Sequence, residues 1–284
     1  MTERPLILVY GNCQAEMIYA TLASMGELTN RFDFAYARNY SRPDEDGPPS
    51  VPAEDLHRTA YVFEQAMAKR NFSQADAIPA SAVRFGFMSL DFNPLWPLHS
   101  VDPRNHAEPD YPFGRYPYGD RAINSVVADG LRGDEGFEAY QAKSAAMLRN
   151  VDRVLDVEKR RWSLIERIND SSFLDWVLAN FAKVRLFHTY NHPSHLALSM
   201  VAAVVLHKSG LVVGDVESIA EEARTHLNLF WNPDNYEAPI HPIVAETFGL
   251  EWWSPDMLYN WGGEHMSYEQ LIRSQIDWRP PGEA

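Results

Sequence analysis

Cys13 is the single cysteine of the chain, and it follows an apolar run, Leu6-Ile7-Leu8-Val9-Tyr10, and a turn glycine, Gly11. After Gly11-Asn12-Cys13-Gln14 the segment to Leu22 has helical character. A buried strand, a tight turn and a helix place Cys13 at a helix N-terminus. Unpaired N–H groups and the helix dipole there favour an anion and lower a thiol's pKa. Such a thiol suits a nucleophile or a contact to a cofactor thiol; the competing reading is a small buried hydrophobe. A second strand–turn–helix junction presents Asn191, His192 and Ser194. Imidazole at that position takes a proton from a thiol or from an acceptor hydroxyl, the general-base role. Asn12, Gln14 or Gln65, with backbone N–H groups, would hold a developing oxyanion. The competing reading of His192 is a structural histidine in a helix-capping region, with Asn191 or Ser194 as the cap.

His188, His192 and His195 also raise a metal site. Pro193 breaks the helical spacing that would align them, and no carboxylate recurs at ligand spacing, so no metal is expected. Asp170, Asp175 and Glu166 precede this motif and are candidates to orient His192, against the alternative of solvated helix faces. Arg84, Arg115 and Arg185 are candidate phosphate contacts, in competition with ordinary surface ion pairs.

The elements that must carry these residues read as α/β. Residues 5–27 form a first βα unit, and Phe32–Ala37, Thr59–Gln65 and Ala82–Met88 read as further strands, with helix a competitor for the third. Strands separated by crossovers predict a mainly parallel sheet with helices on both faces, a three-layer sandwich. In an open parallel sheet, ligands bind beyond the carboxyl ends of the strands, where the two junctions would gather. Residues 92–119 are rich in prolines and aromatics, which predicts a loop packed over a site or lining its rim. Helices are expected near 120–131, 135–149 and 152–168, the last with Ile168 among its apolar positions. We read 120–169 as a helical insertion within a single domain spanning 1–284. A helix at 173–178, a strand at Val184–Phe187, a turn through Pro193 and helices at 194–206 and 215–228 follow. The tail reads as irregular, with a final helix at 267–276.

Composition bounds the partners. The net charge is −14, and no Lys/Arg stripe stands ready for phosphates, which argues against nucleic acid. An anionic ligand would need helix N-termini and a few basic residues. One cysteine excludes a disulfide framework and fits a reducing cytoplasm. The first apolar run is too short for a signal sequence, and no stretch is long enough to span a bilayer. A cytoplasmic location is the expectation.

Gly11-Asn12-Cys13-Gln14 after a first strand resembles the opening of the WcbI-type polysaccharide-biosynthesis proteins, acetyltransferases of bacterial capsule assembly. Gln65, the stretch Phe92–Pro97, Tyr118-Gly119-Asp120 and the block Leu186–Pro193 are similar to later parts of that family, over residues 6 to 250. The resemblance implies an SGNH-like α/β fold with added helices. It implies coenzyme A bound near the Cys13 turn, with Gln14, Ser194 and Arg115 as further contacts, and acetyl transfer to a sugar hydroxyl. In an SGNH-like arrangement Cys13 takes the place of the usual serine and His192-Pro193 resembles the histidine block. The acid usually found just before that histidine is missing here; Thr189 and Asn191 stand there instead. The expected function is therefore acyl transfer from acetyl-coenzyme A to a carbohydrate, with Cys13 and His192 catalytic. Gly11, Asn12, Gln14, Gln65 and Asn191 would serve the oxyanion or substrate. The rivals are an SGNH-like esterase or deacetylase, and a non-catalytic sugar-binding protein. The sequence leaves the oligomeric state open.

Overall fold

The computed structural model describes residues 3–41, 45–66, 72–167, 169, 172–230 and 236–280. The chain divides into two compact units, each assembled from three segments. The first comprises Met1–Leu90, Arg161–Val177 and His192–Pro233; the second comprises Asp91–Arg160, Leu178–Asn191 and Asp234–Ala284.

The first unit is built on four parallel strands, β1 (Leu6–Gly11), β2 (Asp33–Arg38), β3 (Thr59–Ala66) and β4 (Val83–Met88), in the order β2-β1-β3-β4. Every residue of β1 is buried, as its unbroken apolar run requires of a central strand covered on both faces. Leu6, Leu8 and Tyr10 meet Val51, Leu56, Phe72 and Ile78 on one side. The other side takes helix α1 (Cys13–Leu22), which buries Gln14, Ala15, Ile18, Thr21 and Leu22 along one stripe. Helix α1 packs in turn against helices His195–Ser209 and Val216–Phe230. The helix His195–Ser209 is apolar nearly all round and accordingly buried. Ser194 caps its start by accepting from the Ala197 N–H, and Gly210, at φ 67°, ends it in the left-handed conformation that glycine adopts without strain.

The second unit holds helices Arg121–Ala128, Gly133–Met147 and, at the carboxyl end, Tyr268–Asp277. The proline- and aromatic-rich stretch is pinned to the last of these. Asp102, 2 % exposed, holds Arg104, whose guanidinium donates to the Gln275 and Trp278 carbonyls. Tyr116, Tyr259, Trp261 and Leu271 close the core beneath.

Several expectations need correction. The strand expected at Val184–Phe187 lies at Phe187–Thr189. The tail is not irregular: it holds helix Pro242–Phe248 and an antiparallel hairpin, Leu258–Trp261 with Glu264–Ser267. The Gly262-Gly263 pair that turns this hairpin, with both φ values positive, is a hairpin signal present in the sequence. The helix expected at 152–168 runs Asp152–Glu166; Ile168 lies outside the described residues. Among the described residues no helix is long and apolar enough to cross a membrane.

Candidate functional site

The turn between β1 and α1 is the best-defined constellation in the first unit. Asn12 is the N-cap of α1, its side chain accepting from the Gln14 N–H at 2.9 Å. The Asn12 N–H donates to Gln65 Oε1 at 2.8 Å, so β3 holds the turn from the side. The approach is close. A Cβ on Gly11 would lie 2.6 Å from Gln65 Cβ and Oε1 and 2.7 Å from Ala15 Cβ. On the β2 side the Tyr36 hydroxyl donates to the Gly11 and Asn12 carbonyls at 3.1 and 2.9 Å. Tyr36 also stacks on Tyr19 of α1. The result is a rigid turn, clamped by β2 and β3, that presents Cys13 as an exposed residue. The reading of Cys13 as a buried hydrophobe is thereby excluded.

The expected depression of the thiol's pKa is overturned. Although the residue as a whole is exposed, the atoms packed around its sulfur strip enough solvation to push the Cys13 thiol up, and the nearby Glu16 carboxylate adds to this. The N–H groups of Gln14 and Cys13 pull the other way and do not prevail. Loss of solvation outweighs the helix terminus here, and the group rests as a thiol at neutral pH.

Gln14 does not face solvent. It is 3 % exposed, and its amide forms a pair of hydrogen bonds with Leu90, donating to the carbonyl at 2.8 Å and accepting from the N–H at 2.9 Å. It ties α1 to the chain just beyond β4. Gln14→Leu would strand both Leu90 groups in the interior. A destabilisation of about 3 kcal/mol is expected, read as a lower urea midpoint with an unchanged m-value. Gln65 is different. Because Oε1 must meet the Asn12 N–H, the other end of the amide is Nε2. That atom is buried and has no hydrogen-bond partner.

Arg38, which sequence reasoning missed, stands opposite Gly11 in register at the carboxyl end of β2. Its guanidinium pairs with Glu45, while Nε and Nη1 are buried and unpartnered. The three arginines singled out in the sequence are each engaged in ion pairs. Arg84 pairs with Glu64, Arg115 with Glu108 and Arg185 with Glu237. No sequence signal separated Arg38 from these; its place beside the turn follows from strand order.

His192 and Ser194 belong to the same unit as Cys13. His192 is half-buried and precedes helix His195–Ser209, which packs on α1. Ser194 is committed to capping that helix. In the second unit Asn191 accepts from the Thr189 hydroxyl at 3.1 Å. Of the candidate orienting acids, Glu166 accepts from the Phe173 and Leu174 N–H groups at the start of helix Leu174–Asn180. Asp175 is exposed on that helix. Asp170 lies outside the described residues. His195 pairs with Asn228 and His188 with Glu237. Among the described residues no group of three His, Cys, Asp or Glu side chains is arranged to hold a metal ion.

A parallel sheet of order β2-β1-β3-β4 with an exposed cysteine on its first strand–helix turn defines an α/β protein with that cysteine turn at the carboxyl edge of the sheet. The family model for the polysaccharide biosynthesis enzyme WcbI matches residues 6–213, and the chain belongs to that family. A solved structure of WcbI, described as a novel polysaccharide biosynthesis enzyme, shares the fold at a TM-score of 0.68 with 16% sequence identity. The match covers 96% of this chain and 89% of that one. That structure is described as the native protein without a disulfide bond between coenzyme A and one of its cysteines. No curated protein sequence matches the chain significantly.

Proposed function

We propose that the protein transfers an acetyl group from acetyl-coenzyme A to a carbohydrate hydroxyl. The observation that carries this reading is the clamped turn: an exposed thiol at a helix N-terminus, flanked by the unpartnered Nε2 of Gln65. Membership of the WcbI family supports it, as does a solved WcbI structure described as being without a disulfide bond between coenzyme A and a cysteine. The thioester lies beside Cys13. His192 takes the proton of the sugar hydroxyl as its oxygen attacks the thioester carbonyl carbon. Gln65 Nε2 and the N–H groups of the turn stabilise the tetrahedral oxyanion. The carbon–sulfur bond then breaks, and the departing sulfur takes up the proton from His192. Arg38, ion-paired with Glu45, still offers the unpartnered donors Nε and Nη1 at the sheet's carboxyl edge.

The raised thiol pKa favours direct transfer over an acyl-enzyme on Cys13. Cys13 then contacts the coenzyme without forming a bond to the acyl group. The test is release of free coenzyme A from acetyl-coenzyme A in the presence of sugar acceptors. His192→Ala should lower turnover about a hundredfold or more. Cys13→Ala should weaken coenzyme A binding yet retain turnover at saturation. A wild-type thermal shift with coenzyme A, worth about 2.7 kcal/mol at a hundred times its dissociation constant, should accompany this. Full activity of His192→Ala overturns the proposal. So does release of acetate from simple esters by a protein that coenzyme A does not stabilise, which would mark a hydrolase instead.

A further inference from the structure

The proline- and aromatic-rich stretch lines a pocket within the second unit that the acyl-transfer chemistry does not use. The pocket encloses about 40 Å³, room for a few waters or the hydroxyl-bearing edge of a small ring. One wall is aromatic. The His99 and Tyr190 rings stack at 3.9 Å between centroids, and Tyr118 meets Tyr190 edge-on at 6.1 Å. Trp96 borders the same space and is fixed by its indole N–H, which donates to the Ala238 carbonyl at 3.1 Å.

The polar side of the pocket has two groups with capacity to spare. Gln275 is 2 % exposed and lines the space. Among the described residues its side-chain amide has no hydrogen-bond partner, although its backbone carbonyl is taken by Arg104. Asp120 uses Oδ1 to cap helix Arg121–Ala128, accepting from Ala122 and Ile123. Among the described residues its Oδ2 has only the Tyr140 hydroxyl, at 3.5 Å. Among the described residues no Lys or Arg lines the pocket, and burial keeps both of its histidines, His99 and His241, below their ordinary pKa and hence neutral at pH 7.

These groups select a chemistry. An amide that both donates and accepts, next to a carboxylate oxygen that accepts, matches adjacent hydroxyls. A flat aromatic wall matches the C–H face of a sugar ring. A carboxylate in a pocket that no described Lys or Arg lines disfavours phosphates and uronates, although the Arg121 charge reaches it from outside. We propose that this pocket is a binding subsite for an uncharged sugar, its C–H face on His99, Tyr118 and Tyr190 and its hydroxyls on Gln275 and Asp120. As a sugar site it stands independently of the acyl-transfer reading.

The experiment is calorimetric titration of the full chain, without coenzyme A, using neutral methyl hexosides, the matching uronates and adenosine. A neutral hexoside should bind, and its uronate at least about tenfold more weakly, a difference of about 1.4 kcal/mol. Gln275→Leu and Tyr190→Ala should each weaken the hexoside about tenfold or more, while the coenzyme A thermal shift of both variants matches wild type. That shift also shows that the variants are folded. Absence of binding by every hexoside overturns the proposal, as does tighter binding of uronate or adenosine. Unchanged hexoside affinity in folded Gln275→Leu and Tyr190→Ala overturns it too. Hexoside binding lost in both variants, in a protein that coenzyme A fails to shift, would uphold the pocket and sink the acyl-transfer reading alone.

Discussion

Gly11→Ala should destabilise the protein by roughly 3 kcal/mol or more. The new Cβ would stand 2.6 Å from Gln65 Cβ and 2.7 Å from Ala15 Cβ. Neither atom is the far end of a flexible chain. One is rooted in β3 and the other in α1, so relief requires the strand or the helix to move. Moving β3 also breaks the bond from the Asn12 N–H to Gln65 Oε1, which releases the turn that presents Cys13. Stability and coenzyme A binding should therefore fall together. Gly26→Ala serves as the control, because nothing lies within 4 Å of its added Cβ. Urea unfolding of the two variants decides the matter. Equal midpoints would show that the turn is not packed as described.

A second large effect concerns pH and two residues of the second unit. Burial raises Asp120 from the usual 3.8 to about 6. Between pH 4 and 6 the native state keeps a proton that the unfolded chain has lost. Stability therefore falls as pH rises through that window, by about 3 kcal/mol. Burial lowers His241 from 6.5 to about 4. There the unfolded chain binds the proton that the native state refuses, so stability rises with pH between 4 and 6.5, again by about 3 kcal/mol. The two slopes oppose one another, and their contributions nearly cancel in the wild type.

Removing one group exposes the other. Asp120→Asn keeps a capping oxygen for helix Arg121–Ala128 and eliminates the buried charge. Its stability should climb from pH 4.5 to 6.5 and exceed wild type at pH 7.5. His241→Asn likewise keeps an acceptor for the Ile243 N–H, and its stability should fall over the same interval. Urea midpoints at four pH values measure both slopes. Slopes of the same sign in the two variants would refute this account. Asp120→Asn should also bind a neutral sugar more weakly, so the substitution that steadies the fold at neutral pH would impair the pocket. Such opposition between stability and binding is expected where a carboxylate is held buried for a ligand.

Much of the fold was legible because its signals are short-range. The apolar run Leu6–Tyr10 reads as a central strand, and β2, β3 and β4 fall within a residue or two of their expected ends. Ser194 marks a helix start by its own capping chemistry, and Cys13 opens α1 where the turn placed it. The tail hairpin is equally local, marked by the Gly262-Gly263 pair at its turn.

What the sequence by itself determined was the family, the parallel α/β layout and the cysteine turn, because periodicity, caps and turn residues act over a few positions. Only the tertiary structure decided what each polar group at those turns is free to do. Gln14 is bound to Leu90, 76 residues away, and Gln65 reaches Asn12 across 53, leaving one amide end without a partner. The thiol's proton affinity reversed for the same reason. Desolvation outweighs the N–H groups of the helix start, and how closely a helix terminus is packed is set by folding and not by a local pattern of residues.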